Sequence, residues 1–187
     1  MAEKKAKLIV ISAPSGTGKT TSVMCLLERN KNLVRSISYT TRPARPGEVD
    51  GKDYFFVSRE EFQAKKKSGF FLESAEVFGQ WYGTSREYVA GEIAKGKSVV
   101  LAIDVQGMKQ LRAERDSGIP IISIFIVPPS MEILRKRLER RKTETKSEID
   151  TRLEMAQEEM KSRSLYDFSI MNEEVDQTVR ELERIIQ

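Results

Sequence analysis

One stretch near the N-terminus constrains the fold more than any other part of the chain. Residues 13–20 read Ala-Pro-Ser-Gly-Thr-Gly-Lys-Thr and match the pattern G-x-x-x-x-G-K-[ST], except that Ala13 stands at its first position. An apolar run at residues 8–11 precedes this stretch, and an amphipathic run at residues 21–28 follows it. The pattern therefore predicts a strand, a phosphate-binding loop, and a helix whose first N–H groups point at a polyanion.

Each side chain of this loop has an expected role. Lys19 is expected to reach the β- and γ-phosphates of a nucleoside triphosphate, and the Thr20 hydroxyl is expected to ligate Mg²⁺. Ala13 fits only with a negative φ, because alanine tolerates a positive φ poorly. The alternative, a plain Gly/Ser-rich connection, leaves Gly-Lys-Thr at the helix start unexplained. The residues assigned to the triphosphate site are Ala13, Pro14, Ser15, Gly16, Thr17, Gly18, Lys19, Thr20 and Thr21.

Composition excludes several kinds of chemistry. The 187 residues include no histidine and one cysteine, Cys25, so an intrachain disulfide, a Cys/His zinc site, and Ser-His-Asp or Cys-His catalysis are excluded. The 32 Lys and Arg residues barely exceed the 28 Asp and Glu residues, a balance that suits phosphorylated small molecules as well as nucleic acid or a membrane. No apolar run approaches a membrane-spanning length, so we expect a soluble, cytoplasmic protein.

Strand and helix patterns alternate on either side of a β-rich segment. Residues 98–103 predict a buried strand, residues 121–127 a central parallel strand, and residues 168–171 a short last strand. Helix starts are predicted by capping residues at Ser58, Ser130 and Thr145. This alternation predicts a single α/β domain, a parallel sheet flanked by helices, with a core of about residues 1–36 and 97–187. Residues 37–96 predict a small β-rich lobe.

Motifs in and beyond the lobe resemble those of guanylate kinases. Residues 40–48 read Thr-Thr-Arg-Pro-x-Arg-x-Gly-Glu, and residues 51–57 read Gly-x-Asp-Tyr-x-Phe-Val. The similarity continues through Tyr-Gly-Thr at 82–84 and Ile-Asp-x-Gln-Gly at 103–107, and it covers essentially everything from Lys7 onward. It implies a P-loop NTPase-type sheet, an inserted GMP-binding lobe at about 37–96, and a helical lid at about 139–160.

The resemblance implies phosphoryl transfer from ATP to GMP or dGMP in purine nucleotide metabolism, with Mg²⁺ as cofactor. The monophosphate positions are matched by Arg42, Arg45, Tyr54 and Tyr82, with Ser38 and Glu48 in support. The base positions are matched by Glu73, Thr84 and Asp104. Guanine presents two adjacent donors, N1–H and the N2 amino group, to which the acceptor-only carboxylate of Glu73 is suited.

The resemblance also implies which residues act on the transferred group. The candidate catalytic residues are Lys19, Arg42, Arg137, Arg141 and Arg152. Asn172 matches a position near the adenine of ATP. Transfer to an ionised phosphate oxygen needs positioning and charge stabilisation more than proton transfer, which is compatible with the absence of histidine.

Two departures from the family pattern bear on this interpretation. Ala102 stands where guanylate kinases generally have the first aspartate of Asp-x-Asp, so a carboxylate that would help to hold Mg²⁺ through water is missing. Lys142 stands where glycine usually follows Arg141. We therefore expect that activity survives on Asp104 and Thr20 but is lower.

Two other functions fit the sequence less well. A guanylate-kinase-like module that binds phosphorylated or acidic peptides without catalysis typically lacks the loop lysine and threonine, whereas Lys19 and Thr20 are present here. A basic nucleic-acid binder would be expected to carry a recognisable motif or clustered aromatic residues for stacking. We expect small-molecule substrates only, and the sequence leaves the oligomeric state open.

Overall fold

The structure is a computed structural model that describes residues 5–113, 119–140 and 145–187. The predictions for Arg141 and Lys142 fall outside the described residues. The strands are β1 (Leu8–Ser12), β2 (Leu33–Arg35), β3 (Tyr39–Thr40), β4 (Phe55–Phe56), β5 (Phe71–Val77), β6 (Gln80–Ser85), β7 (Ser98–Ala102), β8 (Ile121–Val127) and β9 (Phe168–Met171). The α-helices are α1 (Lys19–Arg29), α2 (Arg59–Lys67), α3 (Arg86–Ala94), α4 (Val105–Ala113), α5 (Met131–Glu139), α6 (Lys146–Lys161) and α7 (Val175–Ile186).

Within the described residues, five strands form a parallel sheet in the order β2-β7-β1-β8-β9. Val34 lies opposite Val99 at one end of the sheet, and Ile126 lies opposite Ile170 at the other. All five residues of β1 are buried, which is why this strand reads as a continuous apolar run. The predicted α/β architecture is confirmed, with β1 in the middle position and β8 beside it.

A second sheet follows the order β4-β3-β6-β5 and is mixed. β3 pairs with β4 in parallel, whereas β6 pairs antiparallel with both β3 and β5. The turn between β5 and β6 contains Phe78 at φ 51° and Gly79 at φ 71°, and two consecutive positive φ values suit the right-handed twist of a hairpin. This hairpin carries Glu73 and Thr84 on neighbouring strands.

The predicted capping residues begin the helices as expected. The hydroxyl of Ser58 accepts a hydrogen bond from the Glu61 N–H, and Ser130 begins α5 in the same way. Thr145 forms a complete capping box, since its side chain accepts from the N–H of Glu148 while the Glu148 carboxylate accepts from the N–H of Thr145. The start of α6 is therefore fixed by its own sequence.

The described chain divides into two compact units. The first contains residues 32–101 and 106–120 with the N-terminal segment up to Leu8, and the second contains residues 9–31, 102–105 and 121–187. The first unit therefore includes the second sheet, with α2 and α3. The second includes the phosphate loop with α1, α5, α6, β8, β9 and α7.

Each unit has its own packing. In the first, the buried Phe62 ring stacks on Phe71 at a centroid distance of 4.5 Å. In the second, apolar side chains of α5 and α6 form a buried cluster that includes Leu134 and Leu138. No helix in the described part of the chain is both long enough and apolar enough to cross a membrane.

Gly83 on β6 is expected to tolerate no side chain. A Cβ there would lie 2.8 Å from the Phe71 ring, which stacking on Phe62 prevents from moving aside. Gly83→Ala should therefore lower the free energy of unfolding by roughly 1–3 kcal/mol in urea denaturation.

Gly91 provides the matched control, because it lies within α3 and a Cβ there would have no heavy atom within 4 Å. Gly91→Ala should raise the free energy of unfolding by about 0.5–1 kcal/mol, since alanine is the better helix former. A loss of stability in Gly91→Ala equal to that in Gly83→Ala would contradict the steric explanation.

Candidate active site

The phosphate loop has a backbone that requires glycine at two positions. Gly16 and Gly18 have φ values of +92° and +100°. A Cβ at Gly16 would lie 2.8 Å from Leu138 Cδ2 on α5, and a Cβ at Gly18 would lie 2.5 Å from Asn172 Nδ2. Ala13 is absent from the described residues with positive φ, so the backbone condition for alanine at this position is met.

Lys19 begins α1 and reaches the end of β7. Its Nζ donates a hydrogen bond to the Ile103 carbonyl oxygen at 2.9 Å. Asp104 follows directly, and Thr20 is exposed on the first turn of α1. The ammonium therefore lies where the phosphate loop meets the carboxyl end of a parallel strand, which is the usual ligand-binding edge of such sheets.

α6 contributes a carboxylate that the sequence analysis did not identify. The half-buried Glu159 interacts electrostatically with both Lys19 and Asp104. Burial raises the pKa of Glu159 to about 7, while Lys19 opposes this rise and Asp104 adds to it. Glu159 follows Arg152 by seven residues, so the two side chains share one face of the helix.

Arg152 contacts the phosphate loop itself. Its Nη1 donates to the Ser15 hydroxyl oxygen at 2.9 Å. Two turns of α6 thus present a guanidinium and a carboxylate to residues of the same loop and of its helix. The seven-residue spacing is visible in the sequence. However, α6 contains several other acidic residues, and the sequence alone does not distinguish Glu159 from them.

Arg137 and Asn172 both contact the carbonyl oxygen of Thr17. Arg137 Nη1 donates to it at 3.2 Å, and Asn172 Nδ2 donates to it at 2.5 Å. Arg137 Nη2 also donates to the carbonyl oxygens of Asn172 and Glu173 at 2.9 and 3.1 Å. The Thr178 hydroxyl donates to Asn172 Oδ1 at 2.9 Å, so the amide is held from both sides.

These contacts give Arg137 and Asn172 a defined place in the structure. Both side chains hold the backbone of the phosphate loop, and Asn172 is buried with 2% of its surface exposed. The sequence analysis assigned Arg137 to the transferred group and Asn172 to the adenine. In the structure both side chains donate to the Thr17 carbonyl oxygen, contacts that sequence patterns do not reveal because the acceptor is a backbone atom. The two assignments stay predictions.

The first unit contains the arginines assigned to the acceptor phosphate. Arg42 Nη2 lies 2.9 Å from Glu48 Oε1, and Glu48 Oε2 accepts from the Arg45 N–H at 2.7 Å. Burial alone would raise the pKa of Glu48, but Arg42 and the Arg45 N–H lower it below its usual range. Burial likewise opposes the charge of Arg42, whose pKa is nevertheless raised by Glu48 and Tyr82. Both groups are therefore charged at neutral pH.

Two tyrosines lie beside Arg42. Its guanidinium carbon is 5.3 Å from the centroid of the Tyr54 ring, and the Tyr54 and Tyr82 rings are 6.1 Å apart. Burial raises the pKa of Tyr54 above its ordinary value, so its hydroxyl is neutral and available as a donor to an anion. The structure thus brings together Arg42, Glu48, Tyr54 and Tyr82.

Glu73 and Thr84 face each other across the β5–β6 hairpin. The Thr84 hydroxyl donates to Glu73 Oε1 at 2.6 Å, and only 4% of Glu73 is exposed. Ser38 lies just before β3, and its carbonyl oxygen accepts from the Phe55 N–H at 3.0 Å. Asp104 belongs to the other unit, where it interacts with Glu159.

Glu159→Gln should change how stability depends on pH. The folded-state pKa of about 7 exceeds the ordinary value of 4.5, so folded protein binds this proton more tightly than unfolded chain does. The contribution of this proton to the free energy of unfolding is fully present below about pH 4.5 and is lost as pH rises through about 7. The free energy of unfolding of Glu159→Gln, measured by urea denaturation relative to the wild type, should therefore be about 2 kcal/mol higher at pH 8 than at pH 5.

The neighbouring Glu158 supplies a control, because it is exposed and its carboxylate lies 2.6 Å from Lys161 Nζ. Glu158→Gln should have a smaller effect at pH 8 than Glu159→Gln. A Glu159→Gln effect of equal size at both pH values would contradict the assignment.

Comparisons with known proteins agree with the resemblance noted in the sequence. The guanylate kinase family model matches residues 5–187. A guanylate kinase of Wolbachia sp. subsp. Brugia malayi (strain TRS) is 46% identical over 187 residues, covering 98% of this chain and 93% of the relative. A guanylate kinase of Hahella chejuensis (strain KCTC 2396) is 47% identical over 181 residues, covering 97% of this chain and 86% of the relative.

A solved structure leads to the same result. The crystal structure of guanylate kinase from Anaplasma phagocytophilum matches with a TM-score of 0.82 and 40% sequence identity, covering 100% of this chain and 87% of that chain. Sequence and fold agree over nearly the whole length. The chain belongs to the guanylate kinase family.

Proposed function

We propose that this protein transfers the γ-phosphoryl group of ATP to GMP, giving ADP and GDP. The observation that carries the proposal is Glu73, a carboxylate with 4% of its surface exposed that accepts from Thr84 at 2.6 Å. A carboxylate accepts hydrogen bonds and donates none, so this position suits a base that presents donors. Membership of the guanylate kinase family supports guanine as that base.

The proposed base selection follows from donor and acceptor counts. Guanine offers N1–H and its N2 amino group, both of which a carboxylate accepts. Adenine presents an acceptor at N1, so its binding would leave that acceptor facing Glu73 without a donor. A site built for a substrate N–H rejects analogues that lack it by several orders of magnitude when buried polar groups are left unpaired.

The proposed phosphate site consists of Arg42, Arg45, Tyr54 and Tyr82, with Ser38 and Glu48 in support. Guanidinium groups bind phosphate with two parallel hydrogen bonds, and the phenolic hydroxyls add neutral donors. Glu48 would orient Arg42 while holding the backbone at Arg45, contacts of 2.9 and 2.7 Å in the structure. None of these residues is assigned to the ribose, so we propose that dGMP is accepted as well.

ATP is proposed to bind at residues 13–21, where loop N–H groups and the start of α1 favour a polyanion. Lys19 would exchange the Ile103 carbonyl, now 2.9 Å away, for the β- and γ-phosphates. Arg152, hydrogen-bonded to Ser15, would stabilise charge on the transferred group. Arg137 would act mainly by holding the loop, and Arg141 remains a proposed catalytic residue.

Mg²⁺ is the proposed cofactor, and Thr20 is the residue that would hold it. The described residues contain no group of three His, Cys, Asp or Glu side chains that could bind a metal. This fits Mg²⁺, which keeps several waters and is commonly bound through one or two protein oxygens and substrate phosphates. When bound, the ion neutralises charge on the phosphates.

The proposal also assigns a role to each part of the chain. Residues of about 37–96 would form the GMP-binding lobe, about 1–36 and 97–187 the core, and about 139–160 a lid. We further propose a cytoplasmic role in purine nucleotide metabolism. The rival, a peptide-binding module without catalysis, is disfavoured by the retention of both Lys19 and Thr20.

The direct test is an ADP-release assay with ATP, Mg²⁺ and each of GMP, dGMP, AMP, CMP and UMP. We expect turnover with GMP and dGMP and little with the other three acceptors. No turnover with any acceptor, combined with binding of acidic or phosphorylated peptides, would support the non-catalytic module instead. Preference for AMP would contradict the role given to Glu73.

Glu73→Gln tests base recognition separately. An amide at this position presents a donor beside the guanine N–H groups, so kcat/KM for GMP should fall about 100-fold while the KM for ATP stays within about twofold. Glu76→Gln, which removes an exposed carboxylate from the same strand, should leave both values near wild type. Equal losses for GMP and ATP in Glu73→Gln would rule out base reading.

Ala102→Asp tests the missing carboxylate at the end of β7. A second carboxylate near Asp104 should help to orient water around Mg²⁺ and increase the apparent Mg²⁺ affinity about tenfold, with a higher kcat. Calorimetric titration of ATP binding at several Mg²⁺ concentrations measures the first effect without turnover. Ala102→Asn controls for side-chain size, and the idea fails if Ala102→Asp leaves kcat and the Mg²⁺ dependence at their wild-type values.

A further inference from the structure

Arg35, the last residue of β2, reaches the segment that carries Tyr54. Its Nη2 donates to the Asp53 carbonyl oxygen at 3.1 Å, and its guanidinium carbon lies 5.9 Å from the centroid of the Tyr54 ring. The carbonyl oxygen of Arg35 accepts from the Tyr88 hydroxyl at 3.2 Å. Both ends of this residue are therefore fixed by contacts within its own unit.

Two guanidinium groups thus lie beside one phenol. Arg42 approaches the Tyr54 ring at 5.3 Å and Arg35 at 5.9 Å. Burial and the neighbouring Tyr82 raise the pKa of Tyr54, and the positive charges of Arg35 and Arg42 both oppose this rise. The charge of Arg35 therefore affects the ionisation of the Tyr54 hydroxyl.

A bound anion would be attracted to both guanidinium groups, most strongly where burial reduces solvent screening. Arg42 already has one anionic partner, since its Nη2 lies 2.9 Å from Glu48 Oε1. A nucleoside 5′-monophosphate has a second pKa near 6 and carries a charge close to −2 at neutral pH. Its phosphate, bound at the Tyr54 hydroxyl, would lie within the field of both arginines.

On the basis of the function proposed above, we propose that Arg35 is an additional binding residue for the phosphate of the acceptor nucleotide. Its guanidinium would act with Arg42 on the phosphate that Tyr54 binds. The sequence motifs gave no indication of this, because Arg35 lies before the conspicuous run at residues 40–48. Its position depends on the Asp53 carbonyl, a backbone acceptor close to Tyr54 in the chain.

The test compares ligands with and without the phosphate. Arg35→Gln should weaken GMP binding about tenfold in calorimetry, since a charge-assisted contact is lost, and should raise the KM for GMP to a similar extent. The affinity for guanosine, measured by NMR titration, should stay within about twofold. The difference in GMP affinity between Arg35→Gln and the wild type should become smaller at high salt, because ions screen partly exposed charges.

Two further variants make the result interpretable. Arg59→Gln also removes an arginine that donates to a backbone carbonyl, that of Gly79 at 2.8 Å, and it should leave GMP affinity unchanged. Arg35→Lys keeps the charge and should recover part of the GMP affinity. It also serves as the functional test if Arg35→Gln proves too unstable, as judged by its thermal unfolding midpoint.

The outcomes separate this inference from the proposed function. If the wild-type protein does not bind GMP more tightly than AMP, the proposed function itself fails. If it does, and Arg35→Gln binds GMP as the wild type does, only the role of Arg35 is overturned. Equal losses for GMP and guanosine would likewise overturn it, because they indicate a structural effect on the lobe.

Discussion

A single backbone carbonyl, that of Thr17, is the point on which the phosphate loop depends. Arg137 and Asn172 both donate to it, and the two glycines beside it have positive φ values. The carbonyl is held by side chains from α5 and from the residue after β9. The loop is therefore shaped by packing from elsewhere in its unit, and the alternation of strand and helix serves to bring those side chains to it.

In the function proposed above, the two units would hold phosphate in physically different ways. The loop at residues 13–20 offers backbone N–H groups, which recognise a polyphosphate without distinguishing among nucleotides. The groups around Arg42 and Tyr54 that are proposed to bind the phosphate of the acceptor nucleotide are side chains, whose charge and hydrogen bonding depend on residue type. Glu73 is proposed to add base recognition. On that proposal, selectivity would lie in the unit whose interactions are made by side chains, and the site for the triphosphate would be the more general of the two.

The sequence predicted those features that local chemistry determines. Continuous apolar runs identified β1 and β8, and Thr145 with Glu148 fixed the start of α6. The strand β2 was missed, because three half-exposed residues ending in arginine produce no periodic signal. The mixed pairing of the second sheet was also beyond prediction, since β3 and β4 are only two residues long.

Sequence motifs led to the assignment of Lys19, through the phosphate-loop pattern, and of Arg42 and Glu73, through the family resemblance, and these roles stay predictions. The site was not predictable where function depends on tertiary neighbours. Glu159 is one of several acidic residues on α6, and only its burial near Lys19 distinguishes it. The contacts of Arg137 were hidden for another reason, namely that its acceptors are carbonyl groups, which every residue possesses.

The hydrogen bond between Thr17 and Asn172 also bears on the order in which contacts form while the chain is being synthesised. These residues are 155 positions apart, and Arg137 is 120 positions from Thr17. The phosphate loop is among the first segments to leave the ribosome, whereas the side chains that shape it are among the last. Contacts of such separation form late, because closing a long loop of chain precedes them. A nascent chain that ends before β9 would thus contain every residue of the nucleotide-binding motif, and Arg137, but would lack the Asn172 side chain that donates to the Thr17 carbonyl oxygen.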